Sequence, residues 1–143
     1  MRLAFRREND AKLSEMLYAL INHCCGHQII SSDLELNPKV AQAIQRFREA
    51  PASIGSMDLF AQGLGLSRSH FDREFSRQVG MAPNQFLVNC KMIQARRFLE
   101  SSSMRVGEIA ETLGYKDIYF FSRQFKHFTG SSPMHYRQSL QTD

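Results

Sequence analysis

The stretch Phe60-Ala61-Gln62-Gly63-Leu64-Gly65-Leu66 returns as Ile109-Ala110-Glu111-Thr112-Leu113-Gly114-Tyr115, a period of about 50 residues. In both copies a small residue is followed four positions on by Gly, and then by an apolar side chain. Two helices can cross closely only over a small residue, and the sharp turn between them needs the Gly. The apolar residue then returns the chain to the core. Together these features spell a helix-turn-helix. The repeat runs on past the turn, with one extra residue in the second copy. Phe71, Arg73, Phe75 and Gly80 match Phe121, Arg123, Phe125 and Gly130. Ala82-Pro83 matches Ser132-Pro133, and Phe86 matches Tyr136.

Each copy reads as a short helix, Met57 to Leu64 or Val106 to Leu113, followed by a second helix. The second helices open after Ser67 and Asp117, whose side-chain oxygens can accept an orphan amide. They stop at Gly80 and Gly130, where a left-handed cap favours Gly. Before the first unit, Pro38 to Glu49 sets Val40, Ile44 and Phe47 on one side of a helix. Pro83 opens a helix to about Ser101, with stripes Val88, Met92, Ala95, Leu99 and Phe86, Cys90, Ile93. A helix apolar on two sides must be covered on two sides, so this one is expected to join the units. Pro133 to Gln141 closes the chain.

The expected fold is therefore all-α. Two helix-turn-helix subdomains, 38–82 and 102–143, flank a long linker helix, 83–101. An N-terminal amphipathic helix and linker, 1–36, precede this body of 37–143.

The second helix of each repeat carries the candidate chemistry. Opposite Phe71 and Phe75 lie Ser69, Asp72, Arg73 and Ser76, with Arg68 at the helix start. Opposite Phe121, Phe125 and Phe128 lie Tyr119, Ser122, Arg123 and Lys126, with Ile118 at the start. A lone Arg on a helix is usually only solvated. Two matched Arg, each on the second helix of such a unit, point instead to guanine contacts in the major groove. Asp72 has two readings, an acceptor for a cytosine amino group or a partner for Arg68 or Arg73. A linker helix of roughly 18 residues is roughly 27 Å long. That suits two heads in major-groove segments roughly 34 Å apart.

Charge agrees. The chain has 143 residues, 18 Lys+Arg and 14 Asp+Glu. Residues 1–36 hold 4 basic and 5 acidic side chains, and 37–143 hold 14 and 9, so the basic excess lies in the body and suits an anionic partner. An apolar content of 43% excludes wholesale disorder. No run approaches the roughly 20 apolar residues of a membrane span, and no signal peptide is visible after Met1-Arg2-Leu3. Cys24, Cys25 and Cys90 form no even framework, so a cytoplasmic setting is expected. Paired carboxylates, a Gly-rich phosphate loop, a nucleophile elbow and a His–Cys dyad at useful spacing are all missing, so neither an enzyme nor a cofactor is expected. His23, Cys24, Cys25 and His27 invite a metal reading. Structural zinc sites space their cysteines by two or more residues, however, and a helix end with an apolar Cys24 is the simpler reading. A protein-interaction module, with the paired units kept as scaffold, is the alternative class. Its binding would ignore salt, whereas phosphate contacts make DNA binding salt-dependent.

Residues 38–140 resemble the DNA-binding domain of the AraC/XylS family of bacterial transcription regulators. The strongest match is Ile109-Ala110, Gly114-Tyr115-Lys116-Asp117, Phe120-Phe121-Ser122-Arg123-Gln124-Phe125-Lys126, Gly130-Ser131-Ser132-Pro133 and Tyr136-Arg137. Leu66 to Phe75 is similar to the family's first recognition helix, and Lys91-Met92, Ala95 and Phe98-Leu99 to its linker helix. The resemblance implies seven helices and promoter binding, usually to activate transcription, with RNA polymerase as a partner. It also implies base contacts at Ser69, Asp72 and Arg73, and at Ile118, Tyr119, Ser122 and Arg123. Many relatives have Ser at the position of Tyr119 and polar groups near Ile118. Tyr and Ile can touch a thymine methyl. Family members often carry a sensory domain of well over a hundred residues ahead of this region. Here 36 residues precede it, with Leu13, Met16, Leu17, Leu20, Ile21 and Cys24 on one helical stripe. Three uses stay open for that stripe, namely weak homodimerisation, packing on its own body, or a connecting helix of a larger protein.

Overall fold

A computed structural model describes residues 36–141. The expected N-terminal helix, with His23, Cys24, Cys25 and His27, lies outside the described residues. Within them the chain is all-helical: α1 (Pro38–Glu49), a 3-10 turn (Pro51–Ser53), α2 (Met57–Gly63), α3 (Arg68–Val79), α4 (Pro83–Ser101), α5 (Val106–Thr112), α6 (Ile118–Thr129) and α7 (Pro133–Gln141).

Local chemistry sets the ends of these helices. The Asn37 side chain accepts from the Lys39 amide at 2.9 Å, ahead of Pro38. Ser67 accepts from the amide of His70 and Asp117 from that of Tyr119, which satisfies N–H groups that no helical carbonyl can reach. Gly80 and Gly130 close α3 and α6 in the left-handed conformation. The turns themselves rest on Gly65 and Gly114, at φ +71° and +83°, where a side chain would be strained. Asn37 also ties the start of α1 to the end of α3, its amide donating to Gln78 Oε1 at 3.0 Å.

The helices enclose two cores. The first gathers Val40, Ala43, Phe47, Ala61, Phe71 and Phe75, and the second Ala110, Leu113, Phe121, Phe125 and Ile109. On α1, Ala43 is fully buried beside Val40 and Phe47, while Ile44, placed on that stripe by the spacing, is only partly buried. α4 serves both cores. It gives Phe86, Leu87 and Cys90 to the first, and Met92, Ala95 and Leu99 to the second, with Val88 packed against the latter. It touches α1 and α3 on one side and α5, α6 and α7 on the other.

This placement extends the repeat beyond the stretch legible in the sequence. Val40, Ala43 and Phe47 of α1 correspond to Met92, Ala95 and Leu99 of α4, and all are buried. A Cβ built on Gly65 would lie 3.6 Å from Lys39 Nζ, and one on Gly114 would lie 3.9 Å from Lys91 Nζ. At the far end, Phe86 meets Phe75 edge-on at 5.6 Å, and Tyr136 meets Phe125 edge-on at the same distance. α4 is thus the last helix of one unit and the first helix of the next. Asn89, buried within it, accepts from Gln85 Nε2 at 3.0 Å and donates to Met81 Sδ at 3.7 Å.

Candidate nucleic-acid interface

α3 and α6 each bury two phenylalanines completely, Phe71 and Phe75 or Phe121 and Phe125. Burial of that face fixes the rotation of each helix and turns the opposite face outward. On α3 the outward face holds exposed Ser69, His70 and Arg73, with Arg68, Asp72 and Ser76 half-buried at its edge. On α6 it holds Ile118, Tyr119, Phe120, Arg123 and Lys126 exposed and Ser122 half-buried.

The structure separates the arginines by what holds them. Arg68 Nε donates to both oxygens of Asp72, at 2.8 and 2.9 Å, and Nη1 reaches Asp58 of α2 at 3.3 Å. Of the two partners the sequence allowed Asp72, it takes Arg68. Its hydrogen bond to the Asp72 carboxylate raises the Arg68 pKa above its usual value. Arg77 turns to Glu74 at 2.6 Å, and that hydrogen bond holds the Glu74 carboxyl below its usual range. Arg73 has no ion-pair or hydrogen-bond partner among the described residues. Arg123 likewise has no anionic partner there. Its guanidinium lies over the Phe120 ring at 5.9 Å. Two matched arginines therefore stand with their donors open, one on each outward face.

The helix ends add to this. Neither α3 nor α6 carries an acidic residue in its first turn, whereas α2 and α5 carry Asp58 and Glu108 there. The N-terminus of α6 is nevertheless met by the Asp117 carboxylate at its cap, so only the Ser67-capped end of α3 is left without an acidic group at its start. Arg123 also lines a cleft of about 230 Å³ with Gln85, Val88 and Asn89 of α4 and His127 of α6.

Behind α6, the turn is braced from two directions. Tyr115 donates its hydroxyl to Gln124 Oε1 at 2.6 Å, and Lys91 of α4 lies over its ring at 5.2 Å. Burial pushes the Tyr115 phenol up to about 12 and the Lys91 ammonium down. Arg137 reaches back from α7 to three carbonyls, Met104 at 2.6 Å, Ser102 at 3.2 Å and Leu99 at 3.4 Å, and so pins the end of α4 to the start of the second unit.

All ten sequence-predicted residues fall on or beside the two outward faces. Phe120 was not among them. Its register opposite His70 was the available signal, hidden because an aromatic on a helix reads first as core. Among the described residues, no cluster of three or more His, Cys, Asp and Glu side chains suits a metal ion, and no helix is long and apolar enough to cross a membrane.

Comparisons with known proteins agree with this fold. A family model described as a helix-turn-helix domain matches residues 60–139. The chain is 36% identical over 77 residues to the raffinose operon transcriptional regulatory protein RafR of Pediococcus pentosaceus, covering 54% of this chain and 28% of that protein. It is 24% identical over 132 residues to the Msm operon regulatory protein of Streptococcus mutans, covering 92% and 48%. The chain thus spans about half, or less, of the curated relatives it matches. Among solved structures, the C-terminal domain of AraT, a response regulator from Geobacillus stearothermophilus, superposes with a TM-score of 0.70 at 28% identity, covering 74% of this chain and 88% of that one. The DNA-binding domain of AdpA, a global transcriptional factor solved in complex with a target DNA, gives 0.70 at 29% identity, covering 74% and 96%.

Proposed function

The chain belongs to the AraC/XylS family of DNA-binding transcription regulators, and on that premise we propose that it sets α3 and α6 into successive major-groove segments of one promoter and activates transcription there, in the cytoplasm, through RNA polymerase. The observation that carries the reading is the matched pair Arg73 and Arg123, each exposed and without an anionic partner among the described residues, on equivalent helix faces. Arg is the side chain best suited to guanine O6 and N7. Ser69, Ser76, Ser122 and Lys126 flank these arginines, within reach of phosphates or bases. Arg68 and Asp72 act as a pair, the first neutralising the second beside the DNA. Residues 1–36 supply a weak homodimer contact that pairs two such sites.

Selection of bound duplexes from a random pool, followed by footprinting of the recovered site, tests this. The expected outcome is one protected tract with two clusters of preferred bases about one helical turn apart. Arg73→Ala should erase one cluster and Arg123→Ala the other. A single cluster, or binding without preference, overturns the two-headed reading.

A further inference from the structure

The two outward faces differ at their N-terminal ends. The repeat sets Ile118, Tyr119 and Phe120 opposite Arg68, Ser69 and His70. On α3 this end is polar, with Arg68 held by two carboxylates. On α6 it is apolar, with Ile118 40%, Tyr119 74% and Phe120 47% exposed. Three consecutive large apolar side chains facing water are unusual unless they serve a contact.

These side chains are also held in place. Ile118 lies beside α5, its Cδ1 3.6 Å from where a Cβ on Gly107 would stand. The Phe120 ring leans on Tyr115 at 6.1 Å and lies beneath the Arg123 guanidinium. Tyr119 makes no side-chain hydrogen bond among the described residues. It shares its face with Arg123 and Lys126, four and seven residues on. The cations that follow the apolar tip on that face favour a polyanion over an apolar protein surface as the occupant.

Helix-turn-helix proteins meet base edges with the N-terminal residues of the second helix. In the major groove the apolar group on those edges is the thymine C5-methyl. We propose that Ile118 and Tyr119 read thymine methyls in the half-site facing α6, while the half-site facing α3 is read through polar contacts. The inference rests on the two-headed function proposed above.

The test uses the full chain and a duplex site recovered from a random pool, with half-sites assigned by the base preferences lost in Arg73→Ala and Arg123→Ala. Each thymine is then replaced singly by deoxyuridine, which removes the methyl and leaves pairing intact. At one or more thymines of the α6 half-site, binding should weaken by about three- to tenfold, the scale of one buried methyl. Deoxyuridine in the α3 half-site should leave affinity unchanged. The double variant Ile118→Ser, Tyr119→Ser should lose the deoxyuridine effect and keep the preference owed to Arg123, with thermal unfolding checked on the same protein. Indifference of the unaltered chain to deoxyuridine across the α6 half-site overturns the methyl reading and leaves the function standing. Recovery of no preferred sequence overturns the function, and this inference with it.

Discussion

Arg73 and Arg123 occupy one register of the repeat in different company. Arg73 stands alone, whereas Arg123 rests over Phe120. Replacing either with Ala should cost about 1–3 kcal/mol on the preferred site and far less on unrelated DNA, as measured by competition binding. Equal losses on both DNAs would make them phosphate contacts. Tyr115 offers a test in pH. Its folded value of about 12 stands above the free-tyrosine value of about 10. The buried neutral phenol therefore contributes its full stability below pH 10 and loses it as pH rises towards 12. Lys91, whose pKa is lowered by burial, acts with the opposite sign below that window. Denaturant titrations at pH 9 to 12 should show Tyr115→Phe losing less stability with rising pH than the unaltered chain. The caps at Ser67 and Asp117 and the turn at Gly114 were legible in the sequence because their partners lie within a few residues. The contacts of Arg68 with Asp58, of Lys91 with Tyr115 and of Arg137 with three carbonyls join residues distant in sequence, and no local pattern announces them.

Among the elements, α4 carries the most, because it serves both cores. Two apolar stripes predict a helix covered on two sides, and one residue inserted at Gln94 tests how far the fold depends on that cover. In the structure Ala95 and Leu99 lie in the second core. The insertion turns them away by about 100° and should unfold the second unit as well as abolish specific binding. A drop in melting temperature alongside the lost affinity is the expected result. The two turn glycines make a sharper comparison. Both have positive φ, but only at Gly114 would a Cβ press on backbone, 3.4 Å from the Ala52 carbonyl oxygen. Gly65→Ala should cost about 1–2 kcal/mol for conformation alone, and Gly114→Ala should cost more, as read by equilibrium unfolding. Arg137→Ala leaves the Leu99, Ser102 and Met104 carbonyls without their donor and should cost about 1–3 kcal/mol.

At the scale of the whole molecule, the basic excess of the body predicts binding that weakens steeply with salt. A flat salt dependence would favour a protein partner. The apolar stripe of residues 13–24 predicts a weak dimer, lost in Leu17→Glu, Leu20→Glu, with single-site binding intact. Sedimentation at low and high micromolar concentration distinguishes this from a persistent monomer. The fold class was legible from the repeat, because duplication writes the same turn twice. The packing of α4 on both units was legible from its two apolar stripes; its correspondence with α1 was not, because that rests on apolar spacing alone, without the Gly and Pro that mark the rest.

A helix that belongs to two cores has a further consequence. It makes the protein a fixed caliper rather than two readers on a string. In the proposed complex, opening or swivelling the jaws would mean disturbing a core, so the molecule is expected to measure length on DNA as well as sequence. One base pair added between the half-sites moves the second by about 3.4 Å and turns it by roughly a tenth of a revolution. Among the described residues, α4 and the two cores it serves would have to deform to absorb that change. Promoters served by such an instrument should tolerate a substituted letter better than an inserted one, and their spacing should drift more slowly than their spelling.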